Sequence, residues 1–141
     1  GPSASPTPAT PSGGASEQEV RNQLVGVGIN HGPCANVGDE NCTNVAGLPE
    51  NAIRGVVNLK KVCSCDVVIT GGTESWGHAS HGPGKPILDL RATASLNEFL
   101  TKSSANPADK TRVSLLAATY TFEAVNSNSN TTGVHWHVVF N

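Results

Sequence analysis

The stretch Gly133-Val134-His135-Trp136-His137-Val138-Val139-Phe140 constrains this chain more than any other. As a strand it alternates faces, so His135 and His137 point the same way, roughly 6–7 Å apart. Val134, Trp136, Val138 and Phe140 point the other way and form a face fit for a core. Two imidazoles side by side make a metal-ligating pair, because imidazole is the commonest protein ligand for transition metals. The chain must then bury one face of this strand and supply partners for the other.

Composition narrows the setting. With 141 residues, 14% of them charged, and a net charge of −2, the chain fits one domain and lacks the basic stripe of a nucleic-acid binder. No apolar run reaches transmembrane length. There is no Met, and Gly1-Pro2-Ser3 resembles a protease scar, so we expect a domain cut from a longer chain. Residues 1–15 are rich in Pro, Ser and Thr and read as a flexible linker. Residues 16–141 read as a single domain, expected to be monomeric.

Four cysteines, Cys34, Cys42, Cys63 and Cys65, are spaced poorly for a four-thiolate zinc site. Disulfides in an exported protein fit better, which predicts an extracellular or cell-surface location, with the linker or an upstream segment as tether. Cys63 and Cys65 are close in sequence for a comfortable bridge. Cys34 and Cys42 can close their own loop, or each can join one member of the other pair.

Local signals give the remaining elements. Ser16-Glu17-Gln18-Glu19 is a capping box that starts a helix running through Leu24 and Val27. Pro49 starts a second helix, with Ala52, Val56, Leu59 and Cys63 on one stripe. Val67-Val68-Ile69 reads as a buried strand that ends at Gly71-Gly72. Residues 70–87 hold several Gly and Pro residues and read as a shaped loop containing Trp76, His78 and His81. Ile87-Leu88-Asp89-Leu90 is a short strand with a carboxylate among aliphatic neighbours, an arrangement that needs a partner for the acid. Ser95-Leu96-Asn97-Glu98 is a second capping box before a short helix. Over 118–125, Tyr120 and Phe122 face one way and Thr119, Thr121 and Glu123 the other. That segment should form an antiparallel hairpin with the last strand.

Three stretches thus offer ligands: the loop with His78 and His81, Asp89 on a strand, and the His135/His137 pair. Two His and one Asp form a common zinc set with a coordination position left open, which is the catalytic arrangement.

The run Val-Ile-Thr-Gly-Gly-Thr-Glu at 68–74, then Ser80-His81, Asp89-Leu90 and His135-Trp136-His137-Val138, resembles the LAS metallopeptidases. That group includes lysostaphin-type endopeptidases, D-alanyl-D-alanine carboxypeptidases and the hedgehog domain. The carboxypeptidase branch is most similar, with its Ile-Thr-Ser-Gly strand end, its Ser-x-His-x₆-Asp-Leu and its C-terminal His-x-His or Glu-x-x-His. The resemblance covers about residues 50–141. It implies an α+β fold, hedgehog/D-Ala-D-Ala peptidase-like, with a small antiparallel sheet and helices packed on one face. It implies zinc held by His81, Asp89 and His137, with His135 beside the metal as the catalytic group. It further implies hydrolysis of peptidoglycan peptides carrying D-amino acids.

Three positions depart from the pattern. Seven residues separate His81 from Asp89, and Pro83 and Pro86 can absorb the extra one. Thr73-Glu74 stands where the family carries a substrate-binding arginine. Val134 occupies the place of a Glu three residues before His137, so Glu74 is the carboxylate available as a base. Thr73, Trp76, His78 and Arg91 are the candidate substrate-binding residues. A zinc-binding but non-catalytic adhesion module is the alternative expectation.

Overall fold

The computed structural model describes residues 16–35, 39–74, 80–124 and 134–141; the expected linker lies outside them. Among the described residues nine elements follow in order: α1 (Glu17–Gln23), β1 (Gly28–Ile29), α2 (Glu50–Cys63), β2 (Val68–Gly71), β3 (Ile87–Arg91), α3 (Ala94–Thr101), β4 (Arg112–Leu115), β5 (Ala118–Glu123) and β6 (His135–Phe140). The strands form one six-stranded sheet in the order β1-β2-β3-β6-β5-β4. All neighbours are antiparallel except β1 and β2. The fold is therefore mixed α+β, as expected, with a mostly antiparallel sheet.

The C-terminal strand sits in the middle of the sheet, between β3 and β5. Its alternation is realised: Trp136, Val138 and Phe140 are buried and join Tyr120, Phe122, Leu88 and Leu90 in the core. Two helices meet this face. In α2, Ala52, Ile53, Val56 and Leu59 are buried. Gly55 lets that helix sit directly on a ring, since a methyl group there would stand 2.4 Å from Phe140 Cδ2. From α3, the buried Asn97 accepts a hydrogen bond from Trp136 Nε1 at 2.9 Å. The indole N–H thus finds the partner that its burial requires.

The capping box of α1 is formed by Ser16 and Glu19, but the helix ends at Gln23, short of Val27, with Gly26 in a positive-φ turn. Glu17 explains how the long loop before α2 is anchored. Its Oε1 accepts from the amides of Val45 and Ala46 at 2.8 and 3.1 Å. The expected cap of α3 is displaced by two residues. Thr93 caps it, accepting from the Leu96 amide, whereas Ser95 lies inside the helix and accepts from the Asp66 amide at 3.1 Å.

The cysteines pair within their own neighbourhoods, Cys34 with Cys42 and Cys63 with Cys65. The closeness of Cys63 and Cys65 proves no obstacle. Ser64 adopts a left-handed conformation (φ 50°) at the end of α2, and the chain folds back on itself within one residue.

Candidate metal centre

β3 and β6 align so that Asp89 pairs directly with His137, and Arg91 with His135. Direct cross-strand partners share a face, so register alone brings the carboxylate to the histidine face. β2 is on the far side of β3, with Gly71 opposite Asp89. His81, in the segment between β2 and β3, also reaches this face, its Nε2 3.4 Å from Asp89 Oδ1. A turn from Gly82 to Lys85, pinned by the Gly84 amide to the Gly47 carbonyl at 2.8 Å, takes up the length between His81 and β3.

His81, Asp89 and His137 converge, with one ligand atom from each within 4.8 Å of the others. Asp89 Oδ1 lies 3.4 Å from His81 Nε2 and 3.2 Å from His137 Nδ1. Ligands bound at about 2.0–2.1 Å in a tetrahedron stand about 3.3 Å from one another. The two observed separations match that edge length.

The tautomer of His81 makes the case stronger. Its Nδ1 lies 2.7 Å from the Gly72 carbonyl oxygen, which can only accept. The proton of neutral His81 is therefore on Nδ1, and the lone pair on Nε2 faces a carboxylate oxygen. Two lone pairs cannot face each other in a buried site; a cation has to lie between them. Either a second proton or a metal ion meets that need. A ligating His that donates its other nitrogen to a backbone carbonyl is also the usual outer arrangement of a metal site.

The site is buried. Asp89 is 3% exposed, His81 7% and His135 6%, and His137 is half-buried. Burial disfavours charge on both His81 and Asp89, but neighbours outweigh it. The Asp89 carboxylate, the Gly72 carbonyl and the charge of Glu74 raise the His81 pKa above its usual value. Hydrogen bonds from His137 and His81, with the charges of His81 and His135, hold the Asp89 carboxyl far below the usual carboxylate range. Asp89 is thus held as the carboxylate, and His81 Nε2 favours a cation, a proton where no metal ion is bound.

The glycines at the end of β2 are part of this geometry. A Cβ at Gly71 would stand 2.7 Å from Asp89 Oδ2, and one at Gly72 would stand 2.0 Å from the Asn44 carbonyl oxygen. The chain must lack side chains here for the Asp89 carboxylate and the Asn44 carbonyl to approach so closely.

His135 lies beside the set. Its Nε2 is 3.7 Å from Asp89 Oδ2 and 3.1 Å from Glu123 Oε1. Glu123, directly opposite His135 on β5, was not among the expected site residues. The alternation over 118–125 puts it on the histidine face, but the register that pairs it with His135 depends on the long connection between the strands. Glu74 and Thr73 are buried at the loop base. Glu74 Oε1 accepts from the amides of Asn44 and Gly72 at 2.9 and 3.0 Å, and the Thr73 amide donates to the Asn44 carbonyl at 2.7 Å. Arg91 is exposed and donates to Asn30 Oδ1 at 2.8 Å. Trp76 and His78 lie outside the described residues.

Among the described residues no helix is long and apolar enough to cross a membrane. Compared with protein-family models, curated proteins and solved structures, the chain matches none.

Proposed function

We propose that the protein is a zinc-dependent peptidase acting on peptidoglycan peptides, with D-amino-acid stems or cross-links as substrate. The observation that carries this reading is the convergence of His81, Asp89 and His137 with a fourth polar group, His135, beside them and outside the set. Two imidazoles and one carboxylate suit zinc among the common metals. Held there, zinc supplies Lewis acidity toward a carbonyl oxygen and toward water.

The chain's own groups do the rest. Gly72 fixes the His81 ring through Nδ1, so Nε2 stays aimed at the centre. His135 Nε2 lies 3.7 Å from Asp89 Oδ2 and 3.1 Å from Glu123 Oε1, so that a proton shared with Glu123 can be carried to the leaving amine. Arg91, next to His135 in the sheet register, offers an exposed guanidinium for a substrate carboxylate, and Asn30 orients it. Glu74 spends its carboxylate on loop amides and shapes the loop that carries His81. The disulfides suit an exported protein working at the cell wall.

A second reading, a zinc-binding adhesion module, draws on Glu74 standing where similar peptidases carry arginine. Digestion of purified peptidoglycan separates the two. Wild type should release peptide products and Asp89→Ala should not; equal product from both sinks the peptidase reading.

A further inference from the structure

The Cys63–Cys65 bridge encloses a single residue, Ser64, where α2 gives way to the segment leading into β2. The constraint a disulfide places on the unfolded chain grows with the length of the loop it closes, so this bridge constrains the chain less than Cys34–Cys42 does. The native packing does not lean on it either. The buried stripe of α2 ends at Leu59, one turn before Cys63, and Val67 is buried beyond Cys65. The turn between them has its own fastenings. The Ser64 amide donates to the Lys60 carbonyl at 3.1 Å, and Lys60 Nζ donates to the Cys65 carbonyl at 2.7 Å. The Asp66 amide donates to Ser95 Oγ at 3.1 Å, and the Gly28 amide donates to the Val67 carbonyl at 2.9 Å. None of these hydrogen bonds needs the S–S bond.

The two sulfurs of the bridge are unequal. Cys63 is half-buried at the end of α2, whereas Cys65 is 6% exposed. An incoming thiolate therefore reaches Cys63 first. The Cys65 amide donates to Cys63 Sγ at 3.2 Å. A donor aimed at a sulfur stabilises negative charge there and makes that sulfur a better leaving group. Ser64 is held left-handed (φ 50°) inside the bridge, a conformation that costs any residue with a side chain, and opening the bond removes one constraint that holds it there.

We infer that Cys63–Cys65 is a thiol–disulfide exchange site that takes two electrons from an external dithiol. One thiolate of the dithiol attacks Cys63 Sγ. A mixed disulfide forms at Cys63, the Cys63–Cys65 bond breaks, and its electron pair leaves on Cys65 Sγ, which takes up a proton. The second thiolate of the dithiol then attacks the dithiol's own sulfur in the mixed disulfide. The dithiol closes its internal disulfide, and Cys63 leaves as a thiolate facing the Cys65 amide and takes up the second proton. The dithiol loses two electrons and two protons, and the bridge gains both. The inference does not rest on the metal reading, because no step involves His81, Asp89 or His137.

The test incubates the whole protein with graded dithiothreitol, blocks free thiols by alkylation and locates them by peptide mass. Cys63 and Cys65 should open together at a dithiothreitol concentration about tenfold below the one that opens Cys34–Cys42. The near-ultraviolet circular dichroism of the folded protein should persist through that first step. The order of attack is read with single variants and glutathione disulfide as probe. Cys63 in Cys65→Ser should form a mixed disulfide at least about tenfold faster than Cys65 does in Cys63→Ser, because only the thiol of Cys63 reaches solvent. A Cys63–Cys65 bridge that opens with or after Cys34–Cys42, or only as the folded signal is lost, overturns the inference. Equal rates at the two sulfurs overturn the assignment of Cys63 as the attacked atom. Should either serine variant fail to fold, the dithiothreitol titration of the wild type decides alone.

Discussion

Asp89 and His137 face each other as a direct pair across β3 and β6, with Asp89 Oδ1 3.2 Å from His137 Nδ1. The carboxylate thus reaches the candidate metal-ligand set through strand register. Removing either residue should abolish binding without dismantling the sheet. We expect Asp89→Ala and His137→Ala to weaken zinc by at least about a hundredfold, beyond the effect of outer groups. At free zinc about 100 times Kd the wild type should gain about 2.7 kcal/mol of stability, reversed by chelator. Calorimetric titration and thermal melts check both; a variant that melts and binds like wild type refutes the assignment.

Stability of the zinc-free protein should depend on pH in a defined way. His81 has its pKa raised in the folded state, so its contribution is full below the ordinary value of 6.5 and is lost as pH rises through the folded value. Asp89 has its pKa lowered, so its contribution is full above the ordinary value of 3.8 and is lost as pH falls toward the folded value. The maximum lies between those two values. Urea unfolding with chelator present should therefore show greater stability at pH 5 than at pH 8, a difference that His81→Ala removes. Zinc affinity should run the opposite way, rising from pH 6 to pH 8, because zinc and the proton compete for Nε2.

Gly71 and Gly72 should fail differently when given a methyl group. At Gly72 the new Cβ would meet backbone, the Asn44 carbonyl oxygen at 2.0 Å, which cannot move without displacing the loop. Gly72→Ala should cost about 3 kcal/mol or more, at the upper end of overpacking. At Gly71 the obstacle is the Asp89 carboxylate itself at 2.7 Å. Gly71→Ala should lose more in zinc affinity than in stability, as compared by chelator competition and urea unfolding.

Asn97 gives a prediction about the core under the site. It is 1% exposed and accepts from Trp136 Nε1. Asn97→Ala strands a buried indole N–H one residue from each histidine of β6. A loss of about 1–3 kcal/mol is expected, measured by urea unfolding, while zinc binding by the folded protein persists. Unchanged stability would mean that the indole finds another acceptor.

The features legible in the sequence were those written in period and spacing. Alternation in β6 separated Trp136 from His135 and His137, and the Ala52–Leu59 stripe located α2. Three things were not legible, each for a physical reason. β1 spans only Gly28–Ile29 and leaves no periodic trace. Thr93 and Ser95 are both competent caps, and the choice between them falls to tertiary contact with Asp66. Glu123 meets His135 through register across a connection whose length fixes no alignment. The resemblance thus picked out three residues that do converge, His81, Asp89 and His137, but not the group beside His135.

The two disulfides should contribute unequally. Cys34–Cys42 closes a separation of eight residues and Cys63–Cys65 one of two. Chain-entropy reasoning gives about 2.5 kcal/mol for the first and about 1.2 kcal/mol for the second. Ser64, left-handed between Cys63 and Cys65, takes back roughly 1 kcal/mol of the smaller figure. Replacing Cys63 and Cys65 together by Ser should therefore lower the urea midpoint little, and replacing Cys34 and Cys42 should lower it clearly. The Cys34–Cys42 bridge also matters to the site. The Cys34 amide donates to Asn44 Oδ1 at 2.8 Å, and the Asn44 backbone holds both Thr73 and the Glu74 carboxylate. Its loss should weaken zinc binding as well as stability, whereas loss of Cys63–Cys65 should leave zinc binding unchanged. Zinc affinity that falls equally in both double variants would place the support of the His81 loop elsewhere.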